Sequence, residues 1–250
     1  MLSLENQPAA ALIDIEAEHN ARTLRAYETS ASDYETNTSV DLPTKTSSVT
    51  WDWIGMAMHL RAQSPDIAHL PILEIGSATG RDATHIEQRY GVSVMRTDAT
   101  SAFVDRLRSQ GYEAHLLNAL TDDLGGPYSM IFANGVVSHF SERQAMDFIH
   151  RAVNSLVQGG ILAFSIKVTM DRDEREGWDV VAPPPAADTL TRKMQPSRYN
   201  YIRSSTKVRS MIRRAMLHDK PPSRATLCQA VPYTSERSHW SGIIAKRLLR

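Results

Sequence analysis

Residues 72–82, ILEIGSATGRD, decide the fold of this 250-residue chain. An apolar strand over residues 72–75 runs into a glycine turn over residues 76–80, and a helix is predicted to begin at Arg81. This order places backbone N–H groups at a helix N-terminus, an arrangement that suits a nucleotide-like ligand. The spacing is E-x-G-x-x-x-G. It differs from the dinucleotide fingerprint G-x-G-x-x-G, because Ala78 and Arg81 stand at the second and third glycine positions.

An acidic residue at the end of the next predicted strand supports this interpretation. Apolar residues alternate over residues 93–97, and Asp98 follows, 18 positions after Gly80. A carboxylate there can accept hydrogen bonds from ribose hydroxyls. The alternatives are a turn or capping aspartate before Ser101 and an ordinary strand–helix turn at Gly76 and Gly80. Because the spaced features agree, ligand binding is favoured.

Strands and helices alternate from residue 72 to residue 168, which predicts an α/β fold with a doubly wound, mostly parallel sheet. Ser141 and Gln144 form a capping-box pattern, and Gly159-Gly160 is predicted to end the helix that follows. Ligands of such sheets bind at the carboxyl ends of the strands. The predicted strands cover residues 72–75, 93–97, 114–117, 128–133 and 161–168, and the helices cover residues 81–90, 101–110 and 141–156.

The flanking segments divide the single expected domain into four parts. A helical cap (residues 1–65) contains a helix over residues 10–26, an irregular segment over residues 29–48, and a second helix ending before Pro65. The α/β core covers residues 66–168. An irregular, lid-like insertion covers residues 169–203, which include three consecutive prolines from Pro183. Residues 204–250 supply a helix and two edge strands, which are predicted to form an antiparallel hairpin.

Composition argues against several classes of protein. The formal net charge is zero, which gives no global electrostatic case for binding a membrane or nucleic acid. The single cysteine, Cys228, cannot form an internal disulfide and fits a reducing cytoplasm, where we expect the protein to be located. The acidic N-terminal segment argues against a signal peptide. Scattered histidines without an H-E-x-x-H motif argue against a metal site, although a magnesium site built from carboxylates stays open.

The glycine turn and three further stretches resemble class I S-adenosylmethionine-dependent methyltransferases, specifically the bacterial small-molecule type. The stretches cover residues 80–111, 126–144 and 156–168, with a later match over residues 240–247. The resemblance implies a Rossmann-like, seven-stranded sheet and S-adenosylmethionine as cofactor. It also implies methyl transfer to an oxygen or nitrogen, including a carboxylate oxygen, of a small-molecule acceptor such as a specialised metabolite. Fold-level resemblance does not identify the acceptor.

The same resemblance assigns residues to the cofactor. The glycine turn would contact the methionine and ribose, Asp98 the ribose, and the residues after the second and third strands the adenine. The segment around residues 27–34 is similar to one that closes over the cofactor. Departures from the family pattern are Asn118, where aspartate is more common, and Ser129. The implied cofactor residues are Tyr27, Tyr34, Gly76, Ser77, Gly80, Asp98, Ala99, Asn118, Ala119 and Asn134.

Candidates for catalysis and acceptor binding follow the fourth and fifth strands. A neutral His139 could take a proton during transfer, although a histidine that only holds the loop before Ser141 is an alternative. Arg198 could bind an anionic group of the acceptor, and Tyr199 and Tyr201 could form walls with polar tips. A solvated helix face for the basic residues and core packing for the tyrosines are the competing interpretations.

Two other functions stay open. Eight basic and no acidic residues over residues 189–218 give weak support to a nucleic acid methyltransferase. Against it, the fourth strand ends in Ala-Asn-Gly-Val at residues 133–136 and lacks the Asn/Asp-Pro-Pro-aromatic motif of enzymes that methylate base amino groups. The second alternative is a cofactor-binding subunit without activity that supports a partner protein.

Overall fold

The central sheet is built from parallel strands that meet at one ligand-binding edge. The computed structural model describes residues 9–38, 45–169, 174–180, 197–216, 225–235 and 238–248. The strands are β1 (Ile72–Ile75), β2 (Val94–Asp98), β3 (Ala114–Leu116), β4 (Tyr128–Ala133), β5 (Leu156–Thr169), β6 (Arg175–Val180), β7 (Ser197–Ser204), β8 (Ala225–Ser235) and β9 (Ser238–Arg247). The helices are α1 (Ala9–Thr38), α2 (Lys45–Ala62), α3 (Arg81–Tyr90), α4 (Ser101–Ser109), α5 (Glu142–Ser155) and α6 (Ser205–Met216).

Seven strands form the main sheet in the order β3-β2-β1-β4-β5-β9-β8. The first five are parallel, and β9 runs antiparallel between β5 and β8. The predicted mostly parallel sheet and the predicted β8–β9 hairpin are therefore confirmed, but the whole sheet has nine strands instead of the seven that the resemblance implied. An additional antiparallel pair, β6 and β7, joins the end of β5 through the pairing of Val168 with Arg203.

Two apolar clusters, one on each face, make the sheet doubly wound. On one face, α5 and α6 pack against β1, β4 and β5. On the other face, α2 and α3 supply Trp53, Ala57 and Ile86, all with no exposed surface. The capping box at the start of α5 is present as predicted, with the Ser141 hydroxyl accepting from the Gln144 backbone. This bond satisfies an N–H group that has no partner within the helix.

A glycine in β9 allows Trp53 to pack directly on the sheet. A Cβ atom at Gly242 would lie 2.6 Å from Cγ of the fully buried Trp53. We expect Gly242→Ala to lower the free energy of unfolding by about 1–3 kcal/mol, the usual cost of overpacking a core. Gly177→Ala in β6 is the control, because a Cβ there meets no atom within 4 Å. Equal denaturation midpoints for the two variants would contradict this assignment.

Two helix predictions were wrong in their boundaries. The segment predicted to be irregular over residues 29–48 contains the last turns of α1 and the start of α2, while residues 39–44 lie outside the described residues. In α1, the hydroxyls of Thr29 and Ser30 donate to the carbonyls of Arg25 and Ala26 at 2.7 and 2.8 Å. Their side chains are therefore satisfied inside a helix, and their weak preference for turns is overridden.

Predictions around β5 also need correction. Helix α5 ends at Ser155, before Gly159-Gly160, and both glycines lie inside β5 near a register shift against β4. The insertion predicted to be irregular is partly regular, because β6 and β7 pair across it from Arg175–Ile202 to Val180–Ser197. The prolines at residues 183–185 lie outside the described residues. Among the helices in the described ranges, none combines the length and apolarity needed to cross a membrane.

Candidate functional site

A cavity opens where the carboxyl ends of β1, β2, β3 and β4 meet helix α1. The space amounts to about 730 Å³, part of it open to solvent. Its walls are Asn20, Thr23, Leu24, Tyr27, Tyr34, Ile75, Gly76, Ala78, Asp98, Ala99, Thr100, Phe103, Leu117, Asn118, Ala119, Asn134, Gly135, Val136, His139 and Phe140.

Most of the residues predicted from the sequence are brought together in this wall. Those that line the cavity are Tyr27, Tyr34, Gly76, Asp98, Ala99, Asn118, Ala119, Asn134 and His139. Five others lie behind or beside the lining: Ser77, Gly80, Arg198, Tyr199 and Tyr201. Their predicted roles in binding stay predictions, and their positions indicate support of the wall.

The glycine turn is held by the end of β2. Asp98, with 6% of its surface exposed, accepts from the backbone N–H groups of Ala78 at 2.9 Å and Thr100 at 2.8 Å, one on each carboxylate oxygen. The backbone N–H of Ser77 donates to Thr97 O at 2.8 Å, and the Ser77 hydroxyl accepts from Thr97 N at 3.1 Å. Burial raises the pKa of Asp98, and its two backbone bonds oppose that shift. The Thr100 hydroxyl is a third donor to this carboxylate, and of its about four lone-pair sites one stays open for a ligand hydroxyl.

Positive φ angles explain why the turn needs its glycines. Gly76 and Gly80 have φ angles of 73° and 75°, in the left-handed region that costs glycine nothing. A Cβ at Gly80 would lie 2.7 Å from Cδ2 of Leu107, and one at Gly76 would collide with the Val136 side chain. The two glycines therefore serve both backbone conformation and close packing around the cavity.

Asn134 ties three elements together at the cavity floor. Its Nδ2 donates to Asp82 Oδ2 at 2.8 Å, and its Oδ1 accepts from the Ser165 hydroxyl at 2.6 Å. The Ser165 hydroxyl in turn accepts from Gly135 N at 2.8 Å. Sequence reasoning missed Asp82 and Ser165. The position of Asp82 in the first turn of α3, directly after the glycine turn, was the available signal.

Beneath the turn, Glu74 in β1 is a buried carboxyl group with 2% exposure. Its Oε2 has no hydrogen-bond partner in the described ranges. Burial and the neighbouring Asp82 raise the pKa of Glu74 to about 8, against a smaller opposing effect of a hydrogen bond with Ser77. Glu74 is therefore neutral in the folded protein at neutral pH.

This shift makes a prediction about stability. Because the folded-state pKa lies above the ordinary value of 4.5, the folded state binds more protons between these pH values and stability falls as pH rises from about 4.5 to about 8. The slope from one such group is at most about 1.4 kcal/mol per pH unit. Glu74→Gln should flatten this fall in ligand-free thermal melts, with Glu113→Gln at an exposed site as control. An unchanged pH profile in Glu74→Gln would show that Glu74 ionises normally.

Helix α1 covers the cavity and is fixed along its length. Glu28 accepts from the Ser101 hydroxyl at 2.6 Å and from Ala102 N at 3.1 Å, at the N-terminus of α4. The Thr23 hydroxyl accepts from Tyr199 N in β7 at 3.0 Å. Asn20, Thr23, Leu24 and Tyr27 share one face of α1, so the helical spacing of cavity-lining residues was a signal that sequence analysis did not use.

A hydrogen-bonded chain connects α1 to the loop after β4. His139 Nδ1 lies 2.7 Å from Tyr199 O, and its Nε2 lies 3.0 Å from Tyr27 Oη. Arg198 donates from Nη1 to Tyr27 Oη at 3.2 Å. Burial is the main cause that lowers the pKa of His139 to about 4, with the positive charges of Arg198 and Lys167 acting in the same direction. His139 is therefore neutral at physiological pH.

Tyr199 and Tyr201 belong to the contact between α1 and the β6–β7 pair. The Tyr199 ring stacks on His19 with centroids 3.6 Å apart and meets Trp178 edge-on at 5.0 Å. The Tyr201 hydroxyl lies 3.2 Å from His19 Nδ1. Both rings thus contact His19 of α1 and each other in this structure, and their role in binding an acceptor stays a prediction.

The basic residues in and after β7 divide into two that bond inside the protein, Arg198 and Arg203, and an exposed group on α6. Arg203, with 5% exposure, donates to Phe140 O at 2.8 Å. Lys207 and Arg214 both pair with Glu142. Arg192 and Lys193 lie outside the described residues. Among the described residues, no cluster of three or more histidine, cysteine or acidic side chains has the geometry to hold a metal ion.

Comparison with known proteins places this architecture among solved methyltransferase structures. No protein-family model matches the chain, and no curated protein sequence matches it. An S-adenosylmethionine-dependent methyltransferase from Clostridium acetobutylicum is similar, with 11% identity, a TM-score of 0.58, and coverage of 89% of this chain and 99% of that one. For 1,6-didemethyltoxoflavin-N1-methyltransferase from Burkholderia thailandensis, the identity is 14%, the TM-score 0.63 and the coverage 94% and 91%.

A third similar structure is the CcbJ methyltransferase from Streptomyces caelestis, with 16% identity, a TM-score of 0.54, and coverage of 77% of this chain and 90% of that one. At such low identities the likeness concerns the fold alone. The resemblance inferred from the glycine turn and Asp98 is confirmed at this level. The chain has the fold of S-adenosylmethionine-dependent methyltransferases.

Proposed function

We propose that this protein transfers a methyl group from S-adenosylmethionine to an oxygen or nitrogen atom of a small-molecule acceptor. The observation that carries the proposal is the bonding of Asp98 to the glycine turn at the cavity wall. That contact fixes a buried carboxylate beside a left-handed turn at the carboxyl edge of a parallel sheet. A ligand with ribose hydroxyls and an apolar ring system suits such a wall.

The residues present fit the cofactor. Asp98 would accept from the ribose hydroxyls, and Ala99, Phe103 and Leu117 provide an apolar wall for the adenine. Asn118 lies at the same end of the cavity, and its Oδ1 already accepts from Leu120 N at 3.0 Å, which leaves its Nδ2 group as a donor. Gly76, Gly135 and Asn134 would face the methionine portion, where backbone can approach a ligand closely.

Bound S-adenosylmethionine supplies a methyl group that its sulfonium charge already activates. The remaining tasks fall to the protein, which must align the acceptor and keep water away. Helix α1 serves both tasks, since it closes the cavity with Asn20, Leu24, Tyr27 and Tyr34. The Tyr34 ring meets Phe103 edge-on at 5.5 Å and so completes an apolar wall beside the predicted adenine position.

A small molecule is the acceptor class that this enclosure favours. The cavity lies under α1, and the basic residues that first suggested nucleic acid include Arg198 and Arg203, which bond to protein groups inside the fold. The Burkholderia structure holds 1,6-didemethyltoxoflavin together with S-adenosylhomocysteine. By analogy, we propose a compact acceptor with an apolar body and place its use in specialised metabolism in the cytoplasm.

Methyl transfer from labelled S-adenosylmethionine tests this function. The wild-type protein should label small molecules of an extract that contains its natural acceptor, and mass spectrometry should locate the added methyl group on oxygen or nitrogen. RNA and DNA from the same extract serve as competing acceptors. Label found only in nucleic acid would favour the alternative function. Cofactor binding without transfer, unless a partner protein is added, would indicate a supporting subunit.

A further inference from the structure

The two ring nitrogens of His139 already have partners. A backbone carbonyl only accepts hydrogen bonds, so the 2.7 Å contact with Tyr199 O requires a proton on Nδ1. In the neutral ring Nε2 is then an acceptor. It accepts a hydrogen bond from the Tyr27 hydroxyl, with Nε2 and Oη 3.0 Å apart. His139 therefore has no ring nitrogen available to a ligand while this arrangement holds.

Tyr27 presents the available hydrogen-bond acceptor. Its oxygen donates to His139 and accepts from Arg198 Nη1 at 3.2 Å, which leaves one lone pair. Tyr27 lines the cavity, whereas Arg198 lies behind it. The guanidinium carbon of Arg198 is 5.4 Å from the centre of the Tyr27 ring. A positive charge at that position stabilises negative charge that develops on the tyrosine oxygen.

The surrounding groups hold this chain in one geometry. The Tyr27 ring packs edge-on against Tyr34 and His139, with centroids 5.9 and 5.7 Å apart. Besides Arg198 in β7, the charged groups around His139 are Lys167 in β5 and Asp179 in β6. These two pair with each other at 2.8 Å. The chain of Tyr27, His139 and Arg198 is thus enclosed by α1, β5, β6 and β7.

We propose that Tyr27 is the catalytic residue that receives the acceptor's proton and passes its own proton to His139, with His139 and Arg198 as positioning residues. This rests on the proposed methyltransferase function. The acceptor atom forms a bond to the methyl carbon as the carbon–sulfur bond breaks and its electron pair stays on sulfur. The acceptor proton moves to Tyr27 Oη, and the Tyr27 proton moves to His139 Nε2. The products are the methylated acceptor, S-adenosylhomocysteine and an imidazolium at His139, which then releases its proton to solvent.

This relay limits the substrate class. It serves an acceptor atom that carries a proton, as in an alcohol, a phenol or an amine. A carboxylate acceptor has no proton to give up and does not need the relay. Two turns before Tyr27 on the same face of α1, Asn20 also lines the cavity. Within the described ranges its carboxamide has no hydrogen-bond partner. Asn20 can therefore hold a second polar group of the acceptor about two helical turns, roughly 10 Å, from the position of Tyr27.

The test uses Tyr27→Phe, which keeps the ring but removes the hydroxyl, and Tyr112→Phe as the matched control outside the cavity. The acceptor probes are simple phenols, primary alcohols, primary amines and benzoates, each with labelled S-adenosylmethionine. We expect turnover with a phenol, alcohol or amine. Tyr27→Phe should lower kcat by about 10²–10⁴-fold with little change in cofactor Kd, and Tyr112→Phe should leave both unchanged. His139→Gln should lower kcat while the KM of the acceptor stays nearly constant.

A second readout does not depend on turnover. Nitrogen NMR of labelled histidine, in the complex with S-adenosylhomocysteine, should show His139 neutral from pH 5 to 9 with its proton on Nδ1, consistent with its pKa of about 4. Tyr27→Phe should shift only the Nε2 signal. Full kcat in Tyr27→Phe, methylation of benzoates alone, or a proton on Nε2 would overturn the relay. If no probe is methylated, the position of the His139 proton in the NMR spectrum tests the relay instead. Failure of the wild type to bind S-adenosylmethionine would instead overturn the function on which the relay rests.

Discussion

Gly76→Ala should abolish measurable binding of S-adenosylmethionine and lower the free energy of unfolding by about 2–4 kcal/mol. Two costs combine at this position. The backbone needs a φ angle of 73°, which strains any residue with a Cβ by roughly 1 kcal/mol. The added Cβ would also collide with the side chain of Val136. Relief of that collision would displace the turn or Val136, and both line the cavity.

Matched variants separate the two costs. Gly91→Ala has the same left-handed requirement, with a φ angle of 64°, but its Cβ meets no atom within 4 Å. Gly91→Ala should lower the free energy of unfolding only by the backbone strain, and it should leave cofactor affinity unchanged. The double variant Gly76→Ala/Val136→Ala removes the opposing side chain and should recover part of both stability and binding. Denaturant titration and calorimetry measure these effects. If Gly76→Ala and Gly91→Ala lose the same amount of stability and of cofactor affinity, close packing at the turn is unimportant.

Asp98→Ala should weaken S-adenosylmethionine binding by about 1–3 kcal/mol, the scale of a lost hydrogen bond to a charged group. Two effects act together. The ribose hydroxyls would lose their acceptor, and the backbone N–H groups of Ala78 and Thr100 would lose theirs. Asp98→Asn should recover little, because an amide group offers only one acceptor where the structure uses two. Asp105→Ala, at an exposed site on α4, is the control.

Calorimetric titration of S-adenosylmethionine into each variant checks the Asp98 prediction. Each titration is run at a temperature equally far below the melting temperature of the variant. Cofactor affinity in Asp98→Ala within a factor of two of the wild type would exclude ribose recognition by this carboxylate. A loss seen equally in Asp105→Ala would show a general effect of charge on the binding of a cationic cofactor.

The fold was largely predictable because its signals are local. The apolar strand, glycine turn and helix start at residues 72–82 specify one βα unit, and the capping box at Ser141 specifies another helix. The pairing of β6 with β7 was not predictable, since it depends on contacts between residues that are distant in the sequence. The length of α1 was missed because its threonine and serine hydroxyls bond within the helix, which composition alone does not reveal.

The site was predictable where backbone geometry selects the residue type. Gly76, Asp98 and Asn134 follow strand ends, and the sheet brings those ends together. The chain from Arg198 through Tyr27 to His139 joins residues separated by 171 and 112 positions. No periodicity or spacing indicates such contacts. Arg198 illustrates the difference, because its charge suggested an anionic acceptor, whereas the structure directs that charge to the Tyr27 hydroxyl.

The central claim is that the cavity beside the glycine turn binds S-adenosylmethionine, and calorimetric titration of the cofactor into the wild-type protein tests it most directly. We predict saturable binding of one molecule per chain, competition by S-adenosylhomocysteine, and a rise in melting temperature that grows with ligand concentration. Absence of binding heat and of any thermal shift, with both compounds in large excess over the protein, would contradict the claim and with it the proposed function.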